Sequence, residues 1–153
     1  MNYKLLAFVA VLFFGHYVTA QVTVDNTTYN TQQLIEDVLI TGDCANTSNY
    51  NSSTGTSING IAYFQFNDPT PGDPSDDFIF SDGIILSSGN AMQGGGPNDQ
   101  ANALSSSEGG WNGDADLEAI SGVTNTNNAS YIEFDFIPPT NEISFRYLFV
   151  SEE

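Results

Sequence analysis

The positive charges of this chain are far too few to balance its carboxylates. Its 153 residues contain nineteen Asp and Glu residues against two Lys and Arg residues. Lys4 lies near the start, so Arg146 is the only basic side chain beyond residue 20. A fold with so few internal cations must tolerate the repulsion among its carboxylates or import positive charge. This imbalance limits both how the chain can pack and what it can bind.

Several functions are excluded by the residue types that are missing. The one histidine, His16, lies within the first twenty residues. Beyond them, the chain has no side chain for His-activated nucleophiles, His zinc sites or lysine Schiff bases. One cation minus nineteen carboxylates leaves a charge of −18 there, which repels nucleic acid and anionic lipid. We therefore expect no nucleic-acid partner, and we expect calcium, which prefers carboxylate and carbonyl oxygens, as the bound cation.

The first twenty residues have the pattern of a secretory signal peptide. Lys4 precedes an apolar run, Leu5–Phe14, and the small residues Val18 and Ala20 precede the predicted cleavage site. The apolar run is shorter than the ~20 residues that span a bilayer, which disfavours an N-terminal membrane anchor. We predict a signal peptide over residues 1–20 and a mature chain that is secreted or on the cell surface, without membrane insertion.

Residues 21–153 suffice for one small domain. The single cysteine, Cys44, has no second thiol in the chain, so we expect a buried free thiol or a bridge to another partner. The sequence ends directly behind a strongly apolar segment, with no turn or polar tail. We therefore expect a domain that is incomplete at its C-terminus, with further domains of the same polypeptide downstream.

Short apolar segments separated by turn-forming residues predict a mainly β protein. Strands are predicted at Val22–Val24, Ile61–Phe66 and within Gly83–Gly89. Residues 45–60 are rich in Asn, Ser, Thr and Gly, which favours loops and polar edge strands.

One short amphipathic helix is predicted over Gln32–Leu39. Thr31 is a plausible N-cap for it. Its apolar residues recur at helical spacing and share one face; they are Leu34, Ile35, Val38 and Leu39.

The sequence between residues 131 and 150 predicts a β-hairpin. Apolar and polar residues alternate there along two segments, which is the period of a half-buried strand. Joined by a four-residue turn, the segments place Phe134 opposite Phe145, and Glu133 opposite Arg146. We therefore predict a structural role for Arg146, with ligand binding as the alternative.

Five segments together resemble the choice-of-anchor L domain, which occurs in secreted bacterial surface proteins that carry varied anchoring or sorting signals. The resemblance covers nearly all of the chain beyond residue 20. It implies an antiparallel, jelly-roll-like β-sandwich with one or two short helices, a surface location and no established catalytic activity. Members usually continue past the final Ser-Glu-Glu, so it also implies an N-terminal fragment. The segments are Gln33–Ile35 with Val38–Ile40, Gly83–Asn90, Gly113–Leu117, Glu133–Pro138 and Ser144–Glu153.

Two groups of carboxylates are the predicted calcium ligands. Asp114 and Asp116 follow a Gly- and Asn-rich segment, and Glu152 and Glu153 follow an apolar one. Backbone carbonyls of the Gly-rich segment would complete the calcium shell. The alternatives are that Asp114 caps a short helix over residues 116–120 and that the two glutamates are simply solvated.

Three functions stay open at this point. A non-catalytic, calcium-stabilised surface module with a structural, adhesive or ligand-binding role fits the export signal, the charge and the missing catalytic side chains. A carbohydrate-binding module is the first alternative, because Trp111 could stack on a sugar ring, unless it folds back onto the domain. A glycoside hydrolase fragment is the second, because Glu133 and Asp135 could supply its two carboxylates. The expected partner is an extracellular or cell-surface ligand, with carbohydrate as a candidate.

Overall fold

The computed structural model describes residues 22–40, 46–55, 59–68, 72–74, 78–96 and 110–150. In these ranges the chain forms five strands, arranged in one three-stranded and one two-stranded antiparallel sheet. This confirms the mainly β, antiparallel fold class. The strands are β1 (Val22–Asp25), β2 (Asn46–Ser53), β3 (Ile61–Phe66), β4 (Asp82–Leu86) and β5 (Tyr131–Ile137).

The helical segments are short. Helix α1 (Thr31–Gln33) continues as a π-helical turn (Leu34–Leu39), a 3₁₀ helix covers Ala91–Gly95, and α2 covers Ala115–Ser121. The predicted helix over residues 32–39 is therefore confirmed in position, although most of it has π geometry.

The N-cap of α1 is Asn30, one residue before the predicted Thr31. The Asn30 side chain accepts a hydrogen bond from Gln33 N, and the Gln33 side chain accepts one from Asn30 N, each at 3.0 Å. This reciprocal pair satisfies two backbone donors at the start of the helix. Thr31 instead shares a hydrogen bond of 2.6 Å with Ser52 of β2, which ties the helix to the second sheet.

The three-stranded sheet has β3 at its centre, between β1 and β4. Ala62 and Phe64 alternate along β3 and are both buried. The Phe64 ring packs edge-on against Phe78, with centroids 6.1 Å apart. On β4, a Cβ at Gly83 would lie 2.8 Å from the Phe64 ring, so the glycine leaves the space that the ring fills. Phe64 is thus the centre of the aromatic core on this face.

The π-helical turn contributes the most deeply buried side chain. Ile35 is completely buried and Leu34 is nearly so, as the predicted apolar face requires. The turn packs against β4. The apolar face is less deeply buried toward the end of the turn, where Leu39 is 41% exposed.

The second sheet pairs the polar strand β2 with β5. Along β5, the apolar residues Ile132, Phe134 and Phe136 are half-buried, whereas Glu133 and Asp135 are exposed. The predicted alternation is therefore confirmed, as is the expectation of a polar strand within residues 45–60.

The predicted hairpin is wrong. Strand β5 pairs with β2, and residues 142–150 form no strand. Phe145, the predicted partner of Phe134, is 68% exposed. Arg146 donates to the backbone oxygen of Ile79 at 2.7 Å, and its guanidinium lies 5.0 Å from the centroid of the Phe80 ring. Arg146 therefore has structural contacts, but not with Glu133.

The carboxylates of β5 find neutral partners across the sheet. Asn51 donates to Glu133 at 3.5 Å, and Asn49 donates to Asp135 at 2.5 Å. The hairpin prediction paired segments that are neighbours in the sequence. It could not find this pairing, because β2 lies more than eighty residues before β5. Amide donors from β2 thus replace the guanidinium that the hairpin would have supplied.

Several predictions fall on residues that the structure does not describe, the calcium ligands Glu152 and Glu153 among them. The predicted signal peptide, residues 1–20, and Cys44 both lie outside the described ranges. All of these stay predictions.

Two phenylalanine variants separate this fold from the hairpin. Phe64→Ala should lower the free energy of unfolding by about 3–5 kcal/mol, because it empties the aromatic core. Phe145→Ala should cost less than about 1 kcal/mol, because the side chain is mostly exposed. Urea denaturation followed by circular dichroism measures both. Equal, large losses would instead support the buried Phe134–Phe145 pair.

Candidate functional site

Asp114 is the N-cap of α2. Its Oδ1 accepts hydrogen bonds from the backbone N–H groups of Asp116 and Leu117, at 3.0 and 2.9 Å. Such a cap satisfies donors that the first helical turn leaves free, and the negative charge is favourable there. The alternative in which Asp114 caps a short helix is therefore the one observed.

A second carboxylate fastens the start of α2 to the following loop. Glu118 accepts hydrogen bonds from the backbone N–H and the hydroxyl of Thr126, at 2.8 and 3.0 Å. The Thr126 hydroxyl accepts in turn from the Asp114 N–H at 3.1 Å. These bonds make a closed local network that holds the segment around α2.

The predicted calcium ligands are only partly placed by the structure. Asp114 and Asp116 lie together at the start of α2, whereas Glu152 and Glu153 lie outside the described residues. Within the described ranges, no three Asp, Glu, His or Cys side chains gather into a group that could hold a metal ion. The four-residue calcium site stays a prediction.

Trp111 folds back onto the domain. It is 5% exposed, and its indole N–H donates to the backbone oxygen of Ala129 at 2.9 Å. Asn128 Oδ1 accepts from the Trp111 N–H at 3.1 Å, which fixes the chain beside the ring. Gly55 lies so close that a Cβ there would be 2.1 Å from the ring. The indole face is therefore not available as a sugar-stacking platform, and the folded-back alternative is the one observed.

A shallow cavity of about 320 Å³ lies beside the buried indole. Glycine backbone forms much of its wall, together with Ser53, Asn112 and the half-buried Tyr131. This cavity marks where the β2–β5 sheet meets the segment that carries Trp111.

A second cavity, of about 300 Å³, opens where the chain leaves β1 for α1. Tyr29 and Tyr63 form one wall, with ring centroids 5.0 Å apart and planes inclined at 48°. The lining also includes the buried Leu34 and the polar residues Asp25 and Asn26. We call this the Tyr29–Tyr63 cavity.

The carboxylate of this cavity is held by hydroxyl and backbone donors. Asp25 accepts from Thr27 N at 2.7 Å, from the Thr27 hydroxyl at 2.8 Å and from Thr28 N at 3.1 Å. The Thr28 hydroxyl donates to its second oxygen. These bonds, that of the Thr28 hydroxyl first, hold the pKa of Asp25 well below its usual range. The group therefore stays ionised and fixed in direction.

A similar cluster joins the π-helical turn to β2. The Tyr50 hydroxyl donates to Glu36 Oε1 at 2.5 Å, and Gln32 donates to Oε2 at 3.2 Å. The bond from Tyr50 is the main cause that lowers the pKa of Glu36, and the same bond raises the pKa of Tyr50. The side chains that donate to the Glu36 carboxylate are therefore neutral, as they are at Asp25.

The carboxylates proposed for glycoside hydrolysis have a similar environment. Glu133 and Asp135 project from the same face of β5, where each is hydrogen-bonded to an asparagine amide of β2. This arrangement is that of a polar strand face and does not favour the hydrolase alternative.

The sequence model of the choice-of-anchor L domain matches residues 23–153. The chain belongs to the choice-of-anchor L domain family. Choice-of-anchor L domains are non-catalytic domains of secreted or cell-surface bacterial proteins. No curated protein and no solved structure matches the chain significantly. Across the described part of this choice-of-anchor L domain, no helix is both long and apolar enough to span a bilayer.

The Tyr29–Tyr63 cavity was missed by sequence reasoning. The Asp-x-Thr-Thr pattern from Asp25 is a local signal for a hydrogen-bonded turn and could have been found. The approach of Tyr29 to Tyr63 could not, because it depends on the β1–β3 pairing and on the path from β1 to α1. Only the fold brings the two rings to one place.

Two glycine variants test the packing of Trp111. Gly55 and Gly122 both have left-handed backbone conformations, with φ of 59° and 71°, but a Cβ at Gly122 would meet no atom within 4 Å. Gly122→Ala should therefore cost about 1–2 kcal/mol of stability from backbone strain alone. Gly55→Ala should cost at least about 1 kcal/mol more, because the new methyl group displaces the indole.

Thermal and urea unfolding of both variants provide the measurement. Near-ultraviolet circular dichroism of the single tryptophan should change in Gly55→Ala and stay unchanged in Gly122→Ala. Equal stability losses with unchanged tryptophan signals would contradict the observed position of the indole.

Proposed function

We propose that this choice-of-anchor L domain is a secreted or cell-surface, non-catalytic module with a structural, adhesive or ligand-binding role, and that calcium stabilises it. The observation that carries the proposal is the family match over residues 23–153. The match fits a chain whose first twenty residues have the pattern of a signal peptide.

The non-catalytic role is supported by the way in which carboxylates are used. Asp25, Glu36 and Glu118 each accept several hydrogen bonds from hydroxyl, amide or backbone donors. Those of Asp25 hold one turn, whereas Glu36 and Glu118 also bond to a following segment. Beyond residue 20 the sequence has no histidine or lysine to act as a base near neutral pH. These carboxylates therefore serve the fold.

The calcium proposal is supported by the charge that remains. Hydrogen bonds from neutral donors satisfy carboxylate oxygens but leave the formal charge of −17 unchanged. A cation bound only by the folded chain adds stability by mass action and reduces the repulsion. Asp114 and Asp116, together at the start of α2, are the described members of the proposed ligand set; Glu152 and Glu153 are the other two.

Surface exposure is the direct test of the location. In the cells that make this protein, brief protease treatment without lysis should degrade the domain or release it into the medium. A cytosolic protein of the same cells should stay intact as a control for lysis. Full protection of the domain in intact cells, with degradation after lysis, would contradict the surface location.

Calcium titration tests the proposed stabilisation. Calcium should raise the melting temperature more than sodium at equal ionic strength, because screening alone does not distinguish the two. Asp114→Asn/Asp116→Asn should abolish the difference while the helix cap is kept, since Asn caps helices about as well as Asp. Asp135→Asn, on β5, is the matched control and should leave the effect intact. Absence of saturable binding at millimolar calcium by calorimetry would overturn the proposal.

A further inference from the structure

We propose that the Tyr29–Tyr63 cavity is a binding site for a neutral carbohydrate. This inference rests on the ligand-binding role proposed above and names its location and ligand class. The volume of about 300 Å³ lies at the lower end of the range of small-ligand sites. It therefore suits one or two sugar rings.

The wall of the cavity has the amphipathic character that sugars require. Tyr29 and Tyr63 are both half-buried, both line the cavity, and their rings pack against each other. Aromatic faces pack against the C–H faces of sugar rings, and a tyrosine adds a polar hydroxyl at its tip. Burial, followed by the charge of Asp82, raises the pKa of Tyr63, so its hydroxyl stays protonated and able to donate.

A fixed carboxylate stands beside the aromatic wall. Asp25 lies directly opposite Tyr63 in the β1–β3 ladder, and directly paired residues on antiparallel strands project to the same face. The donors of Thr27 and Thr28 hold the Asp25 oxygens in one orientation. Oδ1 already accepts three hydrogen bonds, whereas Oδ2 accepts the one from the Thr28 hydroxyl. Oδ2 is therefore the oxygen that can accept a strong hydrogen bond from a ligand hydroxyl group.

The rim of the cavity is organised before any ligand arrives. Asn26 donates to Asn59 at 2.5 Å, which anchors the segment after β1 to the start of β3. Asn30 is held by its reciprocal bonds with Gln33, and Thr31 is bonded to Ser52. Side chains and loops that are already ordered lose less entropy on binding, so more of the contact energy contributes to affinity.

The charges select a neutral ligand over an acidic one. Asp25 is the charged residue that lines the cavity. Arg146, the one cation beyond residue 20, lies instead on Ile79 and Phe80. An anionic sugar would meet a carboxylate without a compensating cation, in the field of a strongly negative domain. The proposed ligand is therefore a sugar without carboxylate, sulfate or phosphate groups.

Saturation-transfer NMR and calorimetry on the full chain test the assignment. The probes are cellobiose, maltose and lactose, with sialyllactose as the acidic comparison. At least one neutral probe should bind saturably, and sialyllactose should bind more weakly than lactose. Tyr29→Leu and Tyr63→Leu should each weaken binding by about twofold to tenfold, the range expected for loss of one aromatic contact.

Tyr147→Leu is the matched control, because Tyr147 is 84% exposed and does not line the cavity. It should leave binding unchanged. Circular dichroism confirms that each variant is folded. If Tyr63→Leu disrupts its central strand, Tyr29→Leu decides, because Tyr29 lies outside the strands.

Two results would overturn the assignment: no saturable binding of any neutral probe at millimolar concentration, or binding that survives Tyr29→Leu unchanged. Failure of the surface role is a separate outcome. A domain that is exposed on cells but binds no neutral sugar would refute the cavity assignment alone. A domain that binds sugar through Tyr29 but is retained inside cells would refute the surface location alone.

Discussion

Hydrogen bonds from neutral donors to carboxylates hold the segments of this domain in place. Nineteen acidic residues share one basic residue beyond residue 20, so ion pairs cannot organise the fold. Hydroxyls, amides and backbone N–H groups donate to the carboxylates instead, both within turns and between segments of the described residues. The pairs are Asp25 with Thr27 and Thr28, Glu36 with Tyr50, Glu118 with Thr126, Glu133 with Asn51, and Asp135 with Asn49.

How far the sequence predicts the fold depends on the range of the interaction. Strand β3 was found to the residue, because its apolar pattern and its bounding turns are local. The helix predicted over Gln32–Leu39 was found, as α1 and the π-helical turn, with its cap displaced by one position, since Asn30 and Thr31 are both good caps. The partner of β5 was not found, because the pairing depends on a polar strand whose amides carry no hydrophobic pattern.

The candidate sites follow the same rule. The helix cap at Asp114 was among the alternatives that the sequence offered, because it depends on residues two and three positions away. The folded-back Trp111 was another alternative, but its contact with Gly55 depends on the tertiary fold. The Tyr29–Tyr63 cavity was not anticipated, although it is the place where aromatic rings, a fixed carboxylate and an ordered rim meet. The choice-of-anchor L family, to which the chain belongs, occurs in secreted or cell-surface bacterial proteins.

NMR titration of the individual carboxylates shows whether neutral donors hold them. If neutral donors hold them, Asp25 and Glu36 in the native domain should lose their charge at lower pH than the ordinary values of about 3.9 and 4.3. Removal of one donor by Thr28→Val should raise the pKa of Asp25 and leave that of Glu36 unchanged, because the two groups belong to separate clusters. Ordinary pKa values for both, unaffected by Thr28→Val, would show that these hydrogen bonds do not hold the carboxylates in the folded domain.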